Sequence, residues 1–159
     1  MEVVNAVYRG VLETKVDLAQ VHKNLPNSVF HTSKPLMVVK KDTDGTIMIF
    51  ASGKFRIMGI TDELEATFKV MAVFEKLGLE VSMITIQTMT VKLKLGRIDL
   101  TKLSGLIKST YDLEIFPALM VTKYKPVSVN VFSTGTVMIC GVKSLDMVNE
   151  IEHDLKILL

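Results

Sequence analysis

The sequence predicts an α+β protein of two direct repeats, each an antiparallel set of strands with helices on one side. Three observations lead there. Phe50-Ala51-Ser52-Gly53-Lys54-Phe55-Arg56-Ile57-Met58-Gly59-Ile60 returns 82 residues later as Phe132-Ser133-Thr134-Gly135-Thr136-Val137-Met138-Ile139-Cys140-Gly141-Val142. The same offset carries Lys15-Val16-Asp17-Leu18 onto Arg97-Ile98-Asp99-Leu100, Pro35 onto Pro117 and Leu77 onto Leu159. Within the two halves, 1–80 and 81–159, apolar periodicity switches between two and 3.6 in the same order.

Residues 3–12 and 83–95 are rich in β-branched side chains and read as strands. Residues 16–25 and 98–109 show helical spacing, and the repeat-related Asp17 and Asp99 suit helix starts rather than a catalytic pair. Short strands follow over 36–41, 46–50 and 54–60, mirrored by 118–124, 127–132 and 136–142. Asp44-Gly45 and Ser52-Gly53 suit tight hairpin turns. Each half closes on an amphipathic helix, 62–77 and 144–158. Asp62 with Glu65 resembles a capping box, and Ser144 is the expected N-cap of the other helix. Leu64, Phe68, Met71 and Ala72, edged by Glu75, form the apolar stripe of the first, and Leu145, Val148, Ile151, Leu155 and Leu158 that of the second. The meander of each half is expected to be completed by the first strand of the other half. Two such copies make one continuous curved sheet.

Composition removes several classes. At 159 residues, 48% apolar and 23% charged, the chain has the makings of a folded core and none of a disordered tail. The lone Cys140 can make no internal disulfide, and no apolar run reaches the ~18–20 residues that span a bilayer. With no basic stretch behind Met1 to suggest a secretory leader, the expectation is an intracellular protein without a membrane partner. Charge is nearly balanced, ten basic against ten acidic residues over 1–82 and nine against seven over 83–159. Any nucleic-acid contact must therefore come from local placement. His22, His31 and His153 lie in different elements, and neither a metal-ligand spacing, a phosphate loop nor a nucleophile elbow occurs, so neither metal, cofactor nor catalysis is expected.

Strand alternation sorts the remaining candidates. If Ile47, Ile49, Phe55 and Ile57 face the helices, then Met48, Phe50, Lys54, Arg56 and Met58 face away, as do Asn130, Phe132, Thr136, Met138 and Cys140 in the other half. A phase slip of one residue would send the phenylalanines to the core instead. The outward set mixes rings and methionines with cations, whereas a wet sheet face is cleanly polar. Such a face marks a binding surface.

These features, with Tyr111-Asp112-Leu113-Glu114-Ile115-Phe116-Pro117-Ala118-Leu119 in the second half, resemble the TATA-box-binding protein family over nearly the whole chain. The resemblance implies a saddle: a ten-stranded antiparallel sheet whose concave side meets the DNA minor groove, with four helices on the convex face. It also implies roles. Phe116 and Phe132 match one pair of phenylalanine wedges, and Phe50 matches half of the other, whose missing member falls on Lys34. Apolar wedges of this kind unstack base steps and kink the duplex, a behaviour for which this family is a standard example. Asn5 and Thr88 take the central asparagine places, and Val7 and Thr90 the flanking valines. Met58 and Cys140 replace threonines, while Arg56 replaces an apolar contact; Met48 and Met138 lie on the same face. Lys40, Lys54 and Lys143 match phosphate-neutralising places, and Thr136 departs from one. Asp112, Glu114 and Ile115 match a loop that contacts a transcription factor B-like partner; taken alone, the two acids are simply solvated.

The resemblance therefore implies a general transcription initiation factor that binds and bends double-stranded, A·T-rich promoter DNA in the minor groove and recruits a factor B-like protein. It would work in the nucleus, or in the cytoplasm of an archaeal or viral host. The alternative is a protein-interaction module that keeps the fold but has lost tight sequence-specific DNA binding. A third reading is a substrate-gripping domain of the kind fused to some nucleic-acid enzymes.

Overall fold

The computed structural model describes all 159 residues. Its elements run β1 (Glu2–Leu12), α1 (Leu18–Asn24), β2 (Ser28–His31), β3 (Met37–Asp42), β4 (Gly45–Phe50), β5 (Lys54–Met58) and α2 (Glu63–Lys76), then β6 (Val81–Lys94), α3 (Leu100–Ser104), β7 (Ser109–Thr110), β8 (Leu119–Val121), β9 (Ser128–Val131), β10 (Thr136–Val142) and α4 (Leu145–Leu158). Two direct repeats, ten antiparallel strands in one sheet and four helices make the fold class the sequence pointed to. By contact the chain divides into a first unit, Asn5–Gln87, and a second, Met1–Val4 with Thr88–Leu159.

In the first unit the strand order is β2-β3-β4-β5-β1, and in the second β6-β10-β9-β8-β7. Here the expected closure is corrected. The meander of each half ends on that half's own first strand: Val7 pairs with Met58 and Arg9 with Arg56, just as Thr90 pairs with Cys140 and Lys92 with Met138. Two strands that periodicity alone did not mark, β2 and β7, form the outer edges; with four and two residues they are too short to show an alternation. The helix expected over 98–109 ends at Ser104, because Gly105 caps it by donating to the carbonyls of Lys102 and Leu103.

Local chemistry explains the starts and turns. Asp17, Asp62 and Asp99 each accept hydrogen bonds from the first-turn amides of their helices, and Ser144 Oγ accepts from Met147 N. The two repeat-related hairpins close identically: Gly53 N donates to Phe50 O at 3.0 Å and Gly135 N to Phe132 O at 2.9 Å, each glycine holding a positive φ near 88–89°. A Cβ on Gly135 would fall 2.3 Å from Leu95 O and 2.4 Å from Gly96 O, and one on Gly53 2.5 Å from Thr14 O.

The core of the first unit is Tyr8, Val38, Ile47, Ile49, Phe55 and Ile57 from the sheet against Ala66, Val70 and Phe74 of α2, all at most 1% exposed. The rings of Phe55 and Phe74 meet at 4.8 Å. The buried side of α2 is therefore not the stripe that the sequence suggested. Leu64, Phe68, Met71 and Ala72 face solvent, and the smaller Ala66, Val70 and Val73 turn inward with Phe74. Two apolar stripes share this helix, and the one that meets the sheet wins. In the second unit α4 follows expectation, burying Val148, Ile151 and Leu155 against Val129, Val131, Val137 and Ile139, although Leu145 at its start is exposed.

Lys69 of α2 reaches Asp42 Oδ2 at 2.8 Å and Asp44 Oδ1 at 2.6 Å, tying the helix to the β3–β4 hairpin, and its ammonium holds both carboxyls below the ordinary range. Lys123 and the Tyr124 hydroxyl do the same for Asp154. Because these folded-state values are depressed, their contribution is present above the ordinary carboxylate range, about pH 4, and is lost as acid carries the solution through the lowered values. Urea midpoints should thus fall from pH 7 to pH 3, and by less in Lys69→Met; equal falls would show that the Lys69 cluster adds nothing. A second comparison separates clash from backbone strain. Gly135→Ala should destabilise by roughly 3–4 kcal/mol, whereas Gly141→Ala, with the same sign of φ but open space around it, should lose only about 1–2 kcal/mol. Equal losses in urea denaturation would refute the steric account.

Candidate nucleic-acid interface

Burial of every second strand residue settles what the other face carries. In the first unit the pairings Val7↔Met58↔Thr46↔Lys41 and Arg9↔Arg56↔Met48↔Val39 run across four strands, each side chain opposite to the buried set. Phe50 pairs with Met37, and Lys54 with Val11, one step further along. In the second unit the matching rows are Thr90↔Cys140↔Ser128 and Lys92↔Met138↔Asn130↔Met120. These residues are half-buried or exposed, while their strand neighbours Ile47, Ile49, Ile57, Val137 and Ile139 are fully buried. Asn5 and Thr88 lie on the same strand parity as Val7 and Thr90.

Most of the residues singled out from the sequence are thus brought onto one face within each unit: Asn5, Val7, Met48, Phe50, Lys54, Arg56 and Met58 in the first (Asn5–Gln87), and Thr88, Thr90, Phe132, Met138 and Cys140 in the second. Lys40 is not. It shares the parity of buried Val38, and its ammonium donates to Pro26 O at 3.0 Å and lies 3.3 Å from Asp42. Lys41, the next residue, is the exposed cation on the outward side. Lys143 is exposed just beyond the bulge between Cys140 and Val142.

The aromatic ends differ between units. Phe116 and Phe132 meet edge-on with centroids 6.0 Å apart. Counted along the paired strands, the residue level with Phe116 is Pro35 rather than Lys34, because Met37 pairs with Phe50 whereas Leu119 pairs with Val131, which makes the path between level positions one residue longer in the second hairpin. Phe50 therefore has a proline where Phe132 has a ring. Asp112, Glu114 and Ile115 sit on an ordered turn: Asp112 Oδ1 accepts from Glu114 N at 3.0 Å and its carbonyl accepts from Ile115 and Phe116. Ile115 is 75% exposed and its neighbour Leu113 66%.

Reasoning from the sequence missed Leu113, Lys41 and three cations on the sheet, Arg9, Lys92 and Lys94. The signal was there. Arg9 keeps the parity of Asn5 and Val7, and Lys92 and Lys94 that of Thr88 and Thr90. Arg9 and Arg56 are direct cross-strand partners, Lys54 is two residues from Arg56 on the same side, and none of these cations takes part in the chain's ion pairs. A cleft of about 440 Å3 runs beside them, lined by Arg9, Phe50, Lys54, Arg56 and Met83 and floored by Phe55, whose ring fills the place of a side chain at Gly10. The face offers apolar surface, polarisable methionines and unneutralised positive charge. That chemistry suits a polyanion with flat apolar groups. No three His, Cys, Asp or Glu side chains gather into a metal-holding group, and no helix is long and apolar enough to cross a membrane.

Comparison with known proteins agrees with this geometry. The family model described as transcription factor TFIID, or TATA-binding protein, matches residues 1–78 and 83–158. A TATA box-binding protein-like 2 of Rattus norvegicus is 29% identical over 157 residues, covering 92% of this chain but only 46% of its own length. The chain thus spans about half of that relative. The TATA-box-binding protein of Sulfolobus acidocaldarius is 28% identical over 161 residues, covering 94% of this chain and 82% of its own. Among solved structures, the Methanococcus jannaschii TATA-binding protein superposes with a TM-score of 0.88 at 25% identity, covering 99% of this chain and 97% of the other.

Like charges held opposite each other on adjacent strands oppose folding by a few tenths of a kcal/mol to about 1 kcal/mol. Arg56→Val should accordingly raise the unfolding free energy of the free protein by that amount, most clearly at low salt. A drop in thermal midpoint instead would assign Arg56 a packing role.

Proposed function

The chain belongs to the TATA-binding protein family of transcription factors, and from that premise we propose that it is a general initiation factor whose outward sheet face binds and bends promoter DNA in the minor groove. The observation that carries this reading is the outward face itself. Half-exposed Phe50, Phe116 and Phe132, the methionines between them and a set of cations without carboxylate partners stand on the side opposite to the buried set. Minor-groove binders combine these same elements, cations for the phosphates and apolar wedges for the base steps. The groove's degenerate pattern of acceptors is read mainly as A·T against G·C. Asn5 and Thr88 retain hydrogen-bonding groups for it, and Val7 and Thr90 flank them. An A·T-rich duplex is the expected substrate.

The second element of the proposal is a protein partner. The turn at 111–117 presents Asp112 and Glu114, both exposed and outside every ion pair of the chain, around the exposed apolar Leu113 and Ile115. An apolar anchor rimmed by acids fits a basic, partly apolar surface, as a factor B-like protein would supply. Such a factor acts where promoter DNA is held, inside the cell.

The methionine content of the face, with Met37, Met48, Met58, Met120 and Met138 all half-buried, favours one competing reading, a protein-interaction module that no longer binds DNA tightly. Gel shifts over a salt series distinguish the two. The initiation-factor reading expects affinity for an A·T-rich duplex that falls steeply with salt, with a slope about one unit smaller in Lys54→Ala. Phe116→Ala and Phe132→Ala should reduce the bend, read by end-to-end energy transfer, more than Lys54→Ala does. Asp112→Ala with Ile115→Ala should spare the binary complex and weaken only the ternary one with a factor B-like protein. Absence of binding to every duplex at low salt would leave the interaction-module reading in its place.

A further inference from the structure

We infer that the solvent side of helix α2 is the docking surface for a basic, amphipathic helix of a protein partner. This surface is separate from the outward sheet face, and the inference does not depend on what that sheet binds.

The helix carries two apolar stripes on nearly opposite sides. Ala66, Val70, Val73 and Phe74 pack inward, whereas Leu64, Phe68 and Met71 are 62%, 65% and 49% exposed. At 3.6 residues per turn the two stripes are centred roughly 140° apart, so one sheet cannot cover both. Nothing in the fold asks for the second stripe. The 82-residue offset places Asp146, Glu150 and His153 of α4 on the positions of Leu64, Phe68 and Met71, and all three are exposed polar groups on a helix that covers the sheet of the other unit. Apolar groups at i, i+4 and i+7 form the edge that a second helix meets with an apolar edge of its own.

Charge selects the occupant. Glu63, Glu65 and Glu75 of α2, with Glu13 and Glu80 beside its C-terminal end, are exposed and join none of the chain's ion pairs. Lys76 is the one unpaired cation of this helix. A cavity of about 510 Å3 opens at that end, where Met71, Phe74 and Leu79 stand with the carboxylates of Glu13, Glu75 and Glu80 and no cation lines the wall. Glu13 N donates to Glu80 O at 3.0 Å, and the side-chain hydrogen bond and charge of Glu80 push the Glu13 carboxyl above its ordinary range. Two acids held together in this way are relieved by a cation. A lysine or arginine of the partner fits here, its stem along Met71 and Leu79 and its head among the carboxylates. The same acids repel nucleic acid and anionic membrane. They repel a second copy too, since two α2 helices paired antiparallel would bring the Glu75 end of each against the Glu63 end of the other.

The test uses two labelled helical peptides of about 18 residues, five turns, with the same leucine edge. One is flanked by lysine and arginine, the other by glutamate, and fluorescence anisotropy reads their binding. The native protein should bind the basic peptide at least about tenfold more tightly than the acidic one, as opposite and like charges at a rim dictate. Phe68→Ser should weaken the basic peptide roughly tenfold, the loss of an interface anchor, and Leu64→Ser should weaken it in the same direction should the first variant fold poorly. The double variant Glu75→Lys, Glu80→Lys should prefer the acidic peptide. Glu150→Lys, at the place on α4 equivalent to Phe68, should change neither affinity. Failure to bind the basic peptide, equal affinities for the two peptides, or binding that both serine variants leave intact would overturn the inference. Concentration-dependent self-association in sedimentation velocity, abolished by Phe68→Ser, would also overturn it by assigning the face to a second copy of the chain.

Discussion

Everything distinctive about this protein depends on one packing constraint, the complete burial of alternate residues along its strands. Ile47, Ile49, Phe55 and Ile57 are at most 1% exposed, as are Val129, Val131, Val137 and Ile139 in the second repeat. A register slip of one residue would exchange the two faces throughout a strand, sending two large apolar groups of β4 or of β5 to water. Removing any such group from its packing costs about 2–5 kcal/mol, so the alternation is locked far more strongly than any contact on the other face requires. The outward side chains are in that sense unconstrained by folding. Arg56 can stand opposite Arg9, and Met138 can stand where Arg56 does, without altering the strand beneath.

That separation explains which parts of the fold were legible in the sequence. The strands β4, β5, β9 and β10 alternate cleanly, and their turns carry the glycines and acids that tight hairpins need, so their faces could be assigned before any coordinates. Helix starts were equally plain, since Asp17, Asp62, Asp99 and Ser144 each act through a local hydrogen bond that sequence spacing encodes. Longer-range choices were not. Helix α2 carries two apolar stripes, and only the shape of the sheet beneath it decides that Ala66, Val70 and Phe74 go inward while Leu64 and Phe68 stay out. The edge strands β2 and β7 are set by pairing with β3 and β8, not by their own composition. Lys40 entered through the resemblance rather than through alternation, and its strand parity with buried Val38 and its bond to Pro26 O keep it off the outward face. The outward cations of β1 and β6, Arg9, Lys92 and Lys94, obey the same alternation as the buried residues beside them.

The two units share a scaffold and differ in what they present. One has the stronger concentration of positive charge, with Arg9, Lys54 and Arg56 on adjoining strands; the other has the aromatic pair and the acidic turn with its exposed Leu113 and Ile115. Family membership accounts for the scaffold, which the Methanococcus jannaschii protein shares at a TM-score of 0.88 despite 25% identity. Arg56 departs from the family pattern, standing where the resemblance implies an apolar contact.

The hairpin glycines have a bearing on ancestry. If the halves arose by duplication of one gene, drift since then has been filtered by geometry, position by position. Gly53 and Gly135 have no room for even one more carbon, and they preserve the family likeness between the copies. The outward residues Lys54 and Thr136, or Arg56 and Met138, met no such filter and went separate ways. Kinship between the halves is thus recorded where the backbone is crowded, and their differences where it is not.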